Sequence, residues 1–160
     1  MQQAAKIPGI NAGSGTFDIT TPDGWKRSDK KMSGVNITFL LAPKIAGAPF
    51  QASINILTQS LAGISFDKFF DGIMSGAKER MQVIEKGGKD INGLSSKWVR
   101  CSGVTSGRQL DAIIYAIPGE NEIAYVITCG TPKGQMEKYQ TEFDKAINSF
   151  QVHGMIKVGK

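Results

Sequence analysis

Between residues 108 and 118 the chain reads RQLDAIIYAIP, and both alternating sets of positions are apolar. Ile113, Tyr115 and Ile117 point one way, and Leu110, Ala112, Ile114 and Ala116 the other. A strand apolar on both sides belongs inside a sheet, with cover on each face. EIAYVITC (122–129) has the same character, and GEN between them turns the chain into a hairpin. Upstream, VNITFLLA (35–42) alternates Val35, Ile37, Phe39 and Leu41, and QASINILTQ (51–59) alternates Ile54 and Ile56. The Pro- and Gly-punctuated PKIAGAP (43–49) makes them a hairpin with a long connection. QVIEKGGKDI (82–91) and LSSKWVRCS (94–102) flank Asn92-Gly93, a strong two-residue turn signal, with a bulge expected at Gly87-Gly88. GVTSG (103–107) is expected to be the five-residue turn into the 108–118 strand. TFDIT (16–20) is a short first strand.

Two segments carry a helical period instead. After Ser65, an N-cap residue, Phe66, Phe69, Phe70, Ile73, Ala77 and Met81 recur on one side. Ile64 is placed to staple against Phe69. Gly72 and Gly76 each cost about 1 kcal/mol relative to Ala in a helix, unless Gly72 admits a close approach to the sheet. The second helix is expected to open at Thr131-Pro132, with Met136, Tyr139, Phe143, Ile147 and Phe150 as its stripe. Two or three strands, a helix, a four-stranded meander and a helix make an α+β fold. It is an antiparallel sheet of about 6–7 strands with two main helices packed on it. Residues 1–15 are expected to be a flexible Gly/Ala/Ser-rich tether, 16–152 the domain and 153–160 a tail.

One stretch breaks the pattern. In TFDITTPDGWKRSDKK (16–31), Trp25 directly follows a Pro-Asp-Gly turn and precedes four cations and one acid. We expect Trp25 to be a structural anchor at the sheet edge, with Lys26, Arg27, Lys30 and Lys31 on a solvated loop. Composition sharpens this. The chain of 160 residues has a formal charge of +5 and a pI near 9.3. Residues 1–60 carry six Lys/Arg against three acids, whereas 108–160 carry six against six. Lys26, Arg27, Lys30 and Lys31 are therefore the candidate patch for an anionic partner. One intervening acid and few stacking aromatics argue against nucleic acid.

Catalytic chemistry is hard to place. His153 is the single histidine, which removes histidine-cluster metal sites and leaves Cys101 or Cys129 short of a base. Folding the hairpins about their turns sets Cys101 near Gln109 and Cys129 near Asp111, on the same face but flanking a middle strand. That separates them by roughly 9–10 Å, beyond the about 7 Å a disulfide spans. Two small buried thiols are the expectation. Asp67 and Asp71 read as a solvated helix face, and Asp90 to Gly93 lacks the later carboxylate of a calcium loop. Catalytic, cofactor-binding and metal-binding residues are accordingly expected to be none.

The ordered features form a pattern. FDITTPDGW (17–25), ASINIL, SFDKFF, the Ile91-Asn92-Gly93 hairpin, DAIIYAIPGENEIAYVITCGTP and a closing helix ending INSF (147–150) resemble, in that order, PsbP-like domains. The resemblance spans roughly residues 16–151 and is strongest to the bacterial extracytoplasmic, DcrB-like members. It implies an antiparallel sheet with helices on its faces. It also implies a non-catalytic accessory or binding protein acting through protein contacts, secreted or lipid-anchored, with its export signal replaced by Met1. Membrane contact would then come only through an N-terminal lipid anchor. The alternative is a cytoplasmic chaperone that cradles an apolar helix of a client. Neither the partner nor the oligomeric state is written in these residues. No stretch is apolar enough over roughly 20 residues to cross a membrane as a helix.

Overall fold

The doubly apolar strands do lie inside a sheet. The computed structural model describes residues 17–120 and 122–152. The strands are β1 (Phe17–Asp18), β2 (Lys26–Met32), β3 (Val35–Leu41), β4 (Ser53–Ser60), β5 (Met81–Ile91), β6 (Leu94–Thr105), β7 (Arg108–Pro118), β8 (Ile123–Pro132) and β9 (Gln151–Val152). The helices are α1 (Phe66–Arg80), between β4 and β5, and α2 (Met136–Ser149), between β8 and β9. Seven strands form one antiparallel sheet in the order β2-β3-β4-β8-β7-β6-β5, and β1 pairs with β9 apart from it. β8 is the central strand, paired with β4 on one side and β7 on the other.

The two apolar sides of β7 meet two different helices. Ile113, Tyr115 and Ile117 join Tyr125, Ile127 and Cys129 of β8 under the α2 stripe of Met136, Tyr139, Phe143 and Ile147. On the opposite face, Ala116 and Val99 pack against Phe70 and Met74 of α1. Trp25 closes the α2 side at the sheet edge. Its ring meets Tyr139 and Phe143 edge-on at 6.0 and 6.1 Å. The Trp25 backbone N–H donates to Pro22 O at 3.0 Å across a turn in which Gly24 has φ +82°, the left-handed conformation such turns reserve for glycine. Phe17 stacks on Phe150 at 5.4 Å where β1 meets β9.

Local chemistry sets the element ends. Ser65 Oγ accepts from the Lys68 N–H at 3.1 Å, capping α1. Ile64, however, is 45% exposed and staples nothing. Gly72 has open space where a Cβ would sit, so it admits no close approach to the sheet. Gly72→Ala is therefore expected to stabilise the protein by about 0.5–1 kcal/mol, read as a higher urea midpoint. Asn92 (φ +50°) and Gly93 (φ +87°) form the expected tight turn. Asn92 Nδ2 also donates to Asn148 O and Phe150 O at 3.0 and 2.7 Å, satisfying carbonyls at the end of α2.

Four expectations change. The basic segment 26–31 is no loop but the edge strand β2, turned into β3 by Ser33 (φ +53°) and Gly34 (φ +80°). The bulge falls between Val83 and Glu85, not at Gly87-Gly88. Gly87 instead lies under the Trp98 indole, where a Cβ would stand 2.8 Å from a ring carbon. Thr131 and Pro132 belong to β8, paired with Asp111 and Leu110, and α2 begins at Met136. Pro132 sits at the strand's end, where its missing N–H costs the ladder little. Finally, the hairpin after β6 turns tightly at Ser106 (φ +53°) and Gly107 (φ +77°) rather than over five residues. The tether and tail expectations (1–15 and 153–160) and His153 lie outside the described residues.

Candidate functional site

The Val35/Ile37/Phe39/Leu41 side of β3 is not the side that α2 covers. Leu40 and Thr38 take the α2 face and are buried, whereas Leu41 is 37% exposed on the other. On that other face α1 covers β5 and β6 and reaches Ala116 of β7. Among the described residues, no helix covers the sheet above β3, β4 and β8. Its floor follows from the register. Leu41, Ser53, Gly130 and Ala112 form one row across β3, β4, β8 and β7. Phe39, Asn55 and Thr128 form the row beneath. The β3–β4 connection folds over the end of these rows, and Arg108, at the start of β7, lies over the Phe50 ring at 5.3 Å. The open cleft this makes has a volume of about 850 Å³, within the range of ligand clefts.

The cavity has a sign. Among the described residues its lining includes Lys44 and Arg108 and no Asp or Glu. Lys30 extends it at the β2 edge, with its ammonium over the Phe39 ring at 5.8 Å. The floor is apolar at its two ends and polar between them, where Ser53, Asn55 and Thr128 meet. Asn55 Oδ1 is buried and accepts no hydrogen bond. An unpaired buried acceptor costs about 1–3 kcal/mol.

The four cations named from sequence are all exposed, but strand alternation divides them. Lys26 and Lys30 share the cavity's face, opposite Leu41 and Ile37. Arg27 and Lys31 point to the other face, where Arg27 pairs with Asp29 (Nε to Oδ2, 3.3 Å). Asp29 is held below the usual carboxylate range, chiefly by the 2.6 Å hydrogen bond from Thr38 Oγ1 and then by Arg27. The signal for the cavity in the sequence was the polar side of β4, Ser53 and Asn55, beside an apolar side of β3.

The cysteines are both free and buried, but they do not share a face. Cys101 pairs with Ala112 and Cys129 with Ile113, neighbours that point oppositely. Burial pushes both thiols up from their ordinary range, with Asp144 adding to the rise at Cys129. A raised thiol is the reverse of an activated nucleophile. Asp67 is engaged by Lys97 Nζ at 2.6 Å, and Asp90 Oδ1 accepts the Gly93 N–H within its turn. Among the described residues, no three His, Cys, Asp or Glu side chains converge in a way that could hold a metal ion. No described helix is long and apolar enough to cross a membrane.

A sheet of this order, with one helix on each face and the first strand tied to the last, is the PsbP-like fold. Cyanobacterial PsbP (CyanoP) from Synechocystis shares it, with a TM-score of 0.55 over 93% of this chain and 98% of that one. LpqN of Mycobacterium tuberculosis, involved in cell envelope biogenesis, superposes with a TM-score of 0.71 over 88% of this chain and 84% of its own. PA94 of Pseudomonas aeruginosa, of unknown function, gives 0.63 over 77% and 94%. Each is 13% identical to this chain, so what is shared is the fold. No family model matches the sequence, and no curated protein does.

Proposed function

We propose that this protein is a non-catalytic accessory protein, stationed outside the cytoplasm, that works by holding another protein against the uncovered part of its sheet. The observation that carries this reading is the half-covered face. A helix would ordinarily shield such a surface, yet α1 lies to one side and leaves a concave floor flanked by Lys44 and Arg108. The raised, sealed thiols favour binding over thiol catalysis. The shared fold with LpqN, a protein of cell envelope biogenesis, supports the station. The uncovered face also favours a second reading, a cytoplasmic chaperone for an apolar helix. The polar band of Ser53, Asn55 and Thr128 across the floor weighs against it, because an apolar helix would desolvate these groups without pairing them.

The test places a photoreactive diazirine residue at Ile45, on the cavity rim, or at Ile84, on the far edge of the sheet. Irradiation in the source organism's envelope fraction is expected to give a discrete protein adduct from Ile45 and none from Ile84. Equal adducts from both positions would overturn the reading. So would turnover of an ester, peptide or phosphate substrate that one substitution abolishes.

A further inference from the structure

We propose that the cavity receives an acidic peptide segment, extended across the strands with its carboxylates toward Lys44 and Arg108. This rests on the binding reading above and names the chemistry of what is bound. Three observations converge on it. The first is charge. The lining offers two cations and no acid, and Lys26 and Lys30 on the same face add two more along the β2 edge. Anionic groups are favoured from every side that carries charge, and basic segments are repelled.

The second is the order of polarity across the floor. Phe39 and Leu41 stand at one end, Leu110 and Ala112 at the other, and Ser53, Asn55 and Thr128 between. A peptide supplies what this order asks for: backbone amides over the polar band and side chains over the apolar ends. An acyl chain laid on the same path would strip water from three polar side chains and return no hydrogen bond. The third is length. Four strands set about 4.8 Å apart span roughly 14 Å, the length of four to five extended residues.

The experiment selects a random heptapeptide display library on the purified protein. The expected result is enrichment of Asp and Glu beside at least one apolar residue. Resynthesis of an enriched peptide with Asn and Gln in place of its acids should weaken binding by about tenfold or more. Lys44→Glu with Arg108→Glu should do the same, while Lys68→Glu on α1 leaves binding unchanged. Lys44→Glu alone serves as the second variant, since the Arg108 guanidinium also lies on Phe50. Neutral or basic peptides that compete at the cavity would overturn the acidic class and leave the binding reading standing. Acidic peptides indifferent to the Lys44 and Arg108 changes would overturn the site. Phosphatidylglycerol vesicles or a single-stranded oligonucleotide bound in place of any peptide would overturn the peptide. Selection of nothing, together with no Ile45 adduct, would overturn both proposals.

Discussion

Phe143→Ala is expected to cost about 3–5 kcal/mol, a large share of the roughly 5–15 kcal/mol that holds a domain folded. Phe143 is fully buried at the centre of the α2 stripe, between the rings of Trp25 and Tyr139. Truncation removes the ring's burial and leaves a cavity that a sheet on one side and a helix on the other cannot collapse. Trp25 loses one of its two aromatic partners in the same change. The midpoint of thermal unfolding should fall by about 2–4 °C for each kcal/mol lost in a chain of this size. Phe143→Leu keeps most of the volume and should cost less than about 1.5 kcal/mol. Phe69→Ala on α1 should cost less than Phe143→Ala, because that ring is only partly buried. A loss below about 1 kcal/mol for Phe143→Ala would mean that α2 is not the lid of this core.

How far the sequence shows this fold depends on whether the signal is local. The Asn92-Gly93 turn, the Ser65 cap and the α2 stripe are each written within a few residues, and each is found where the pattern puts it. Strand β2 is not written that way. KRSDKKM holds one apolar residue, so it shows no alternation, and it becomes a strand because β3 offers it a backbone ladder. Its lysines are where an exposed sheet edge needs them, guarding unpaired backbone groups against a second chain. The cysteine error has an equally physical origin. Shortening the hairpin turn from five residues to two moves the partner of Cys101 from Gln109 to Ala112, an odd shift, and any odd shift turns a side chain to the other face.

The candidate site was half legible. Lys26, Arg27, Lys30 and Lys31 stood out as a charged run, but a run has no faces until its secondary structure is known, and alternation sends only Lys26 and Lys30 to the cavity. The polar side of β4, Ser53 and Asn55, hinted at the floor, but its assembly could not be read. Asn55 is brought beside Thr128, far along the chain, and the wall depends on Phe50 reaching Arg108. Such juxtapositions come from strand order, which no single segment encodes. The same order explains why the face stays uncovered. α1 follows β4 and leads directly into β5, so it must lie near the β5–β6 edge, while α2 is drawn to the opposite face by the larger apolar surface of β7 and β8.

Stability should fall steeply as the pH rises from 9 to 11. Tyr125 is 1% exposed, and burial, with Glu120 adding to it, pushes its hydroxyl up to about 12. Burial raises Tyr115 further, helped by Cys129 and Asp144, and raises Cys129 as well. All three are held neutral in the fold, while in the unfolded chain a thiol ionises near about 8.5 and a tyrosine near about 10. A folded value above the unfolded one means stability that is complete below the unfolded value and is lost as pH rises toward the folded one. Each group subtracts about 1.4 kcal/mol per pH unit once its unfolded form ionises. Between pH 9 and 11 these three together lose on the order of 5 kcal/mol, with Cys129 acting first and the tyrosines from pH 10, and the raised Cys101 thiol adds to the loss. Urea midpoints at pH 8, 9, 10 and 11 should therefore fall with a slope that steepens above pH 10. Cys129→Ala should make the pH 9–10 part of that slope shallower, whatever it does to stability at pH 7, and the raised Cys101 thiol accounts for what remains. Tyrosinate absorbance from Tyr115 and Tyr125 should appear only with unfolding. A midpoint that stays level from pH 9 to 11, or tyrosinate signal from all three tyrosines in the folded protein, would show that water reaches these hydroxyls and that the core beneath α2 is not closed.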